Sequence, residues 1–244
     1  MLKIVISEHL KMRHTFGGKL PVIAPVFSLG VVLLLAYGAI GMAQPMAWNF
    51  WYTTLLPGML AIICYLGVNK DKKLHYCNML SVPFPAARCL AGKVLYYAAG
   101  MFLANVVLCT GILISGKISG MASGISGSFA AVILLSFIFI WEIPLYIILS
   151  MRFGMFACIF SCMLMVFSAF VFANTHLWWI WPSSIPLRLM CPVLGIMPNG
   201  ILAPPGSPLL NSGVILPGII ISFIWFVLFS FLMVLCFKKK VVEE

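Results

Sequence analysis

Charged residues are scarce in this chain: they make up 8% of its 244 residues, and only five of them are acids. A soluble domain is typically about a quarter charged, since charged side chains cover the surface around an apolar core. Apolar residues instead account for 63% of the sequence. The shortage of charge excludes an ordinary soluble domain and predicts an integral membrane protein.

The few acids also argue against a catalytic centre or a metal site. They are Glu8, Asp71, Glu142, Glu243 and Glu244, and none has the spacing of a Ser-His-acid triad or of a His and Glu zinc motif. The eight cysteines include no CxxC pair and are typical of small apolar residues in a membrane core. We expect no catalytic residue, no metal and no cofactor in this chain.

One segment, residues 111–118, nearly matches the phosphate-binding loop GxxxxGK[ST]. Ile118 replaces the hydroxyl residue that would hold magnesium, and the sequence before it does not have the pattern of a strand. We therefore expect no ATP hydrolysis by this chain itself.

Long apolar runs, by contrast, are abundant, and they approach or exceed the roughly 20 residues that cross a bilayer as a helix. The runs are continuous rather than alternating, which predicts helices and not a membrane β-barrel. We predict an all-α integral membrane protein with one domain, residues 1–244, and six transmembrane helices. The predicted spans are residues 20–42, 51–68, 94–115, 128–150, 155–174 and 214–237.

Residues 1–19 precede the first span and have an amphipathic pattern. One helical face would carry Leu2, Val5, Ile6, His9 and Leu10, and the other Lys3, Ser7, Glu8 and Lys11. Such a pattern is typical of a helix that lies in the membrane interface. We expect Gly17 and Gly18 to end this helix.

The basic residues predict the orientation of the chain. With the N-terminus inside, thirteen of the fifteen Lys and Arg residues are cytoplasmic and only Lys117 and Arg188 are outside. This bias follows the positive-inside rule and places both termini in the cytoplasm. It explains the net charge of +10 without nucleic acid as a partner. On the outer side we expect loops at residues 43–50, 116–127 and 175–213.

The charged loop at residues 69–93 would then face the cytosol. We expect a short helix over residues 71–80 that contacts a soluble partner, before Pro83 and Pro85 turn the chain back. The candidate contact residues are Asp71, Leu74, Cys77, Asn78, Met79, Leu80 and Pro83. The alternative is a solvated basic loop without a partner.

Glu142 is the one ionisable residue that the sequence places deep in a predicted span. A charge at the bilayer centre is costly, so this acid should face protein or water, or else be protonated. Pro144 lies two residues later and indicates a kink. Glu142 and Pro144 have two interpretations: a structural contact within the bundle or with another subunit, or a role in substrate passage or proton handling.

The outer loop at residues 175–213 contains Trp178, Trp179 and Trp181, several prolines and almost no charge. It is too apolar for a free aqueous loop, so we expect it to fold back onto the membrane or partly re-enter it. The tryptophans have two interpretations, an aromatic belt at the headgroups and direct substrate contact.

These features resemble the permease subunits of ABC type-2 exporters. Residues 79–83, Met-Leu-Ser-Val-Pro, followed by Arg88 and Gly92-Lys93, resemble the second half of that family's coupling segment, whereas the Gly-Thr pair of its first half is missing. The small size, together with KMRHTFGGKLPVIAP and FIWEIPLYIILS, is most similar to the lantibiotic-immunity permeases of Gram-positive bacteria.

The resemblance implies an interfacial N-terminal helix, six spans, a coupling helix between spans 2 and 3, and a partly re-entrant outer segment between spans 5 and 6. It implies two permease chains, often paralogues, with two copies of a cytosolic ABC ATPase that binds ATP and Mg. The implied substrate is an antimicrobial peptide removed from the bacterial cytoplasmic membrane.

Other functions remain compatible with the sequence. An ABC type-2 exporter could carry another amphipathic or lipid-like substrate, and the chain could be a membrane scaffold or sensor that transports nothing. A small ion-coupled carrier is a further possibility, although one buried acid without a relay argues against it.

Overall fold

The computed structural model describes residues 1–35, 42–77, 84–119 and 125–243. Within these ranges the chain is helical, and the one β-bridge, between Ile196 and Leu202, is isolated. The helices are α1 Leu2–Met12, α2 Phe16–Leu35, α3 Ala43–Phe50, α4 Leu56–Lys73, α5 Ala86–Ser119, α6 Ile125–Ile138, α7 Glu142–Arg152, α8 Met155–Ala173, α9 Ser184–Leu194 and α10 Ile215–Glu243. A π-helical turn at Trp51–Leu55 joins α3 to α4.

Five helical segments are long and apolar enough to cross a membrane: Phe16–Leu35, Ala43–Lys73, Ala86–Gly116, Met155–Ala173 and Ser212–Lys239. A sixth span results if α6 and α7, which meet at a bend of 42°, are counted as one broken helix. These segments overlap the six predicted runs. The prediction of an all-helical chain with several potential membrane spans is therefore confirmed.

The second of these segments begins earlier than predicted. Residues 43–50, expected as an outer loop, form α3, which continues through the π-helical turn into α4. Pro57 is the second residue of α4 and has no amide hydrogen to donate. A local π adjustment of this kind lets an apolar helix continue past such an interruption. The loop prediction at residues 43–50 was therefore wrong: Pro45 lies in the first turn of α3, where its missing amide hydrogen costs no helical hydrogen bond.

Gly17 and Gly18 do not end the first helix. α1 ends at Met12, and both glycines belong to the first turn of α2. A Cβ atom on Gly18 would lie 2.3 Å from the carbonyl oxygen of Met12. Glycine at this position therefore permits the tight approach between the end of α1 and the start of α2.

The separate helix expected at residues 71–80 does not begin at residue 71: after α4 ends at Lys73, Cys77 is the next described helical residue. Residues 71–73 complete α4, and residues 74–76 form a turn in which His75 and Tyr76 have positive φ angles of 46° and 54°. Asn78, Met79, Leu80 and Pro83 lie outside the described residues.

α4 lies at the centre of the fold, where it packs against α2, α7 and α8. In the apolar 18-residue stretch of the span Ala43–Lys73, 67% is buried inside the protein. The corresponding share is 17% for Met155–Ala173 and 11% for Ser212–Lys239. α8 and α10 are therefore peripheral. They expose large side chains such as Phe156, Phe160 and Phe223, as helices in contact with lipid do.

The segment at residues 175–213 contains a helix of its own, α9, which packs against α6 and α8. Its 11 residues are too few to span a bilayer, which takes about 20. Most of its side chains are buried, including Ile185, Leu189 and Cys191. Gly195, at φ 69°, ends the helix in a left-handed conformation. α9 is thus part of the core, whereas residues 201–213 of the same segment are exposed or half-buried.

Candidate functional site

Four charged residues form a buried ion network at the end of the fold where α4 and α5 are connected. The Lys11 ammonium lies 2.6 Å from Glu8 Oε2 and 2.8 Å from Asp71 Oδ1. The Lys93 ammonium contacts Asp71 Oδ2 and lies 3.2 Å from Glu8 Oε2. Each carboxylate therefore contacts both ammonium groups. With two acids and two bases, the charges of the network balance.

Three helices supply these residues. Glu8 and Lys11 come from α1, Asp71 from the last turn of α4, and Lys93 from the third turn of α5. The Lys70 ammonium adds a further link, because it donates a hydrogen bond of 2.6 Å to the carbonyl oxygen of Lys11. The network thus fastens α1 to both helices that flank the loop.

Gly92 allows α1 to lie close enough to α5 for these contacts. A Cβ atom on Gly92 would be 2.5 Å from Cγ2 of Ile4, well inside normal contact distance. Any larger residue would push α1 away from α5. The Gly92-Lys93 pair therefore has two roles: Gly92 leaves room for the close approach of α1, and Lys93 binds α1 through Glu8.

The network is well shielded from solvent. The side chains of Asp71 and Lys93 are each 2% exposed, and those of Glu8 and Lys11 are 11% and 16% exposed. Burial lowers the pKa of Lys11, the positive charge of Lys93 lowers it further, and the carboxylates of Glu8 and Asp71 oppose the shift. Removing one member of a buried charge pair typically costs about 3–5 kcal/mol, since its partner is left uncompensated. The four residues should therefore behave as one unit.

α1 presents its apolar side chains outward. Leu2, Ile6 and Leu10 are 75%, 48% and 56% exposed, whereas Glu8 and Met12 on the opposite face are buried. A helix on a soluble protein has the reverse arrangement. The predicted division into two faces holds only in part: Glu8 and Lys11 of the predicted polar face contact protein, whereas Lys3 and Ser7 of the same face are exposed.

The structure corrects the role expected for Asp71. It was predicted to contact a soluble partner, but its carboxylate is buried and bound by Lys11 and Lys93. Lys93, expected at the end of the loop, is also buried within α5. Leu74 is 50% exposed and Cys77 is exposed, so these two predicted contact residues do lie on the surface.

The turn that carries Leu74 is anchored to the fold on its other side. The amide of Tyr76 donates to the carbonyl oxygen of Asp71 at 2.9 Å. The Tyr76 ring is buried and packs edge-on against Phe237 of α10, with centroids 5.5 Å apart. The start of the loop is therefore held by the network on one side and by α10 on the other.

Glu142 is the first residue of α7, directly after the bend at residues 139–141, and is 1% exposed. Pro144 occupies the third position of α7, where the first-turn amide needs no partner within the helix. The kink indicated by Pro144 is thus present and immediately precedes it. Neither residue is among those of the ion network.

The three predicted outer tryptophans differ in their surroundings. Trp181 donates a hydrogen bond of 2.7 Å to Ser168 Oγ and stacks on Phe172, both on α8. Trp178 is half-buried against the core, and Trp179 is 49% exposed. Trp181 therefore fixes the segment to α8, and Trp179 is the most accessible of the three tryptophans.

Sequence analysis missed Glu8, Lys11 and Lys93 as members of a site. The scarcity of charged residues could have indicated such a site, because charged residues at the edges of apolar runs need partners. No local spacing connects residue 8 to residues 71 and 93.

Among the described residues, no group of three or more His, Cys, Asp or Glu side chains could hold a metal ion.

Comparison with known proteins gave no match: no family model, no curated protein and no solved structure is significantly similar to this chain.

Proposed function

We propose that this chain is the non-catalytic, membrane-spanning subunit of an ATP-driven ABC type-2 exporter. In this proposal it removes antimicrobial peptides of the lantibiotic type from the bacterial cytoplasmic membrane and confers resistance. The observation that carries the proposal is the ion network, because it makes α1, α4 and α5 one mechanical unit beside the predicted cytosolic loop.

An ATPase that moves the loop would have to displace the ends of α4 and α5. Since Asp71 and Lys93 bind each other and both contact α1, such a displacement would move all three helices together. Leu74 and Cys77 are exposed at the start of the loop and are the described residues through which a partner would act. Packed elements of this kind transmit small movements as rigid bodies.

The membrane side of the proposal rests on the outward apolar face of α1. In the proposed orientation, Leu2, Ile6 and Leu10 contact the inner membrane interface, while Lys3 and Arg13 are exposed near lipid headgroups. Anionic lipids attract such basic residues. Both termini are cytoplasmic, and residues 175–213 face outward, where Trp179 is available to a peptide in the membrane.

The chain would function with two copies of an ABC ATPase, which bind ATP and Mg, and with a second permease chain. A single acid in the bent span gives no relay for ion coupling, which favours an external source of energy. A substrate taken from the membrane surface is favoured over one taken from the cytosol, because the outer segment at residues 175–213 is apolar and exposes Trp179.

Co-purification from native membranes tests the proposed partner. An ATPase should elute with the wild-type chain, and Leu74→Asp should abolish its binding by placing a carboxylate in the contact. Ser7→Asp, which adds the same charge at an exposed position of α1, is the matched control and should retain the ATPase. A chain that is stable and confers resistance without any ATPase would contradict the proposal and favour a scaffold or an ion-coupled carrier.

A further inference from the structure

A small cavity lies beside the bend between α6 and α7. Glu142 and Ser183 both line it, together with Thr53 of the π-helical turn. Oε2 of Glu142 and Oγ of Ser183 are buried, and neither has a hydrogen-bond partner among the described residues. Two residues from distant parts of the chain, each with an unsatisfied buried polar atom, therefore line the same space.

The dimensions of the cavity suit one water molecule. It leaves about 10 Å³ for the centre of a water, at the lower end of the roughly 10–15 Å³ that a buried water needs. Buried polar atoms in proteins are nearly always bonded to protein or to ordered water. Thr53 Oγ1 donates to the carbonyl oxygen of Asn49 at 2.7 Å and lies 3.3 Å from Thr54 Oγ1, and it can still accept a third hydrogen bond, from that water.

The surroundings of Glu142 contain no compensating charge. It is 1% exposed and forms no ion pair with a described residue. The titratable groups near it are neutral: Tyr146 on its own helix, Cys64 on α4, Cys162 on α8 and Tyr52 on the π-helical turn.

The remaining neighbouring helices add no charge at this position. Arg188 of α9 donates to the carbonyl oxygens of Leu209 and Pro208 at 2.5 and 3.3 Å. α10 meets the bend through a ring stack of Phe229 on Trp141. An unpaired carboxylate in such surroundings is costly, so the neutral acid is favoured.

We propose that this cavity is a proton site in which Glu142 is held as a neutral carboxylic acid. One bound water bridges its carboxyl group to the hydroxyl of Ser183. The site joins the bent span to residue 183, which directly precedes α9. Glu142 would release its proton only when solvent reaches the cavity. This inference requires neither an ATPase nor a peptide substrate.

Infrared spectroscopy of the full-length chain in lipid tests the site directly. At neutral pH we expect a carboxylic acid C=O band that is absent in Glu142→Gln. Ser183→Ala should move this band to higher frequency, because the acid loses its bridged partner. Ser28→Ala is the matched control, since Ser28 Oγ on α2 is equally buried without a described partner and does not line the cavity. It should leave the band unchanged.

Two further measurements make the test independent of any one variant. Labelling with [13C]glutamate should shift the same band in the wild-type chain, which assigns it to glutamate even if Glu142→Gln does not fold. Exchange into H2[18O] should shift a water O–H band that Ser183→Ala removes. Three results would each overturn the proposal. They are the absence of an acid band at neutral pH, a carboxylate signal that changes with sodium, and an unshifted acid band in Ser183→Ala.

Discussion

At the scale of single residues, the ion network shows how a chain with few charges uses them. Asp71 and Lys93 are almost fully buried, where an isolated charge would be unfavourable. Because Glu8 and Lys11 supply an additional acid and base, every charge in the group has two opposite neighbours. We infer that such a cluster contributes more to the specificity of the helix arrangement than to the free energy of unfolding.

Lys93→Met tests whether these residues act as a unit. The change keeps much of the side-chain volume but leaves two buried carboxylates with one ammonium group, so we expect a loss of about 3–5 kcal/mol in the free energy of unfolding. Denaturant unfolding in detergent measures it. Lys72→Met, at an exposed position in the last turn of α4, should change stability by less than about 0.5 kcal/mol. Equal effects of the two variants would show that the network is not a buried unit.

The sequence identified only part of this site. It identified Asp71 as a candidate contact residue of the charged loop at residues 69–93, but assigned it to the surface. The contacts of Asp71 are made by residues 60 positions earlier and 22 positions later, and no local pattern connects such positions. Pairing at this distance depends on how helices cross, which hydropathy and spacing do not determine.

At the scale of elements, the crossing of α1 over α5 depends on the glycine before Lys93. We expect Gly92→Ala to loosen α1, because the added methyl group would lie 2.5 Å from Ile4. Hydrogen exchange of the α1 amides should then become faster. Gly30→Ala is the matched control, since a Cβ atom at Gly30 meets nothing within 4 Å. Unchanged exchange in Gly92→Ala would contradict a close, glycine-dependent contact.

The elements themselves were largely predictable, because the length of an apolar run is a direct consequence of bilayer thickness. The bend near Glu142 was also predictable from Pro144. The helical state of residues 43–50 and of α9 was not. Proline-rich segments indicate loops in isolation, whereas burial against α6 and α8 makes a helix the favourable way to satisfy the backbone of α9.

At the scale of the whole molecule, the fold has a buried charged group at one end and a separate polar cavity at the bend. The network can transmit movement of the loop to α1, α4 and α5, and the cavity joins the bent span to α9. The central helix α4 contributes Asp71 at its end and also packs against α7. A displacement of α4 would therefore affect both regions, and this is the movement that the proposed exporter would use.

The central claim is that ATP hydrolysis by a partner is coupled to peptide through the ion network. Peptide-stimulated ATP hydrolysis by the complex purified from native membranes measures this directly, with a pore-forming lantibiotic as the added peptide. We expect hydrolysis to rise with peptide in the wild-type complex, and the rise to be lost in Lys93→Met while Lys72→Met retains it. An ATPase that responds equally in Lys93→Met, or a complex that does not respond to peptide, would contradict the account.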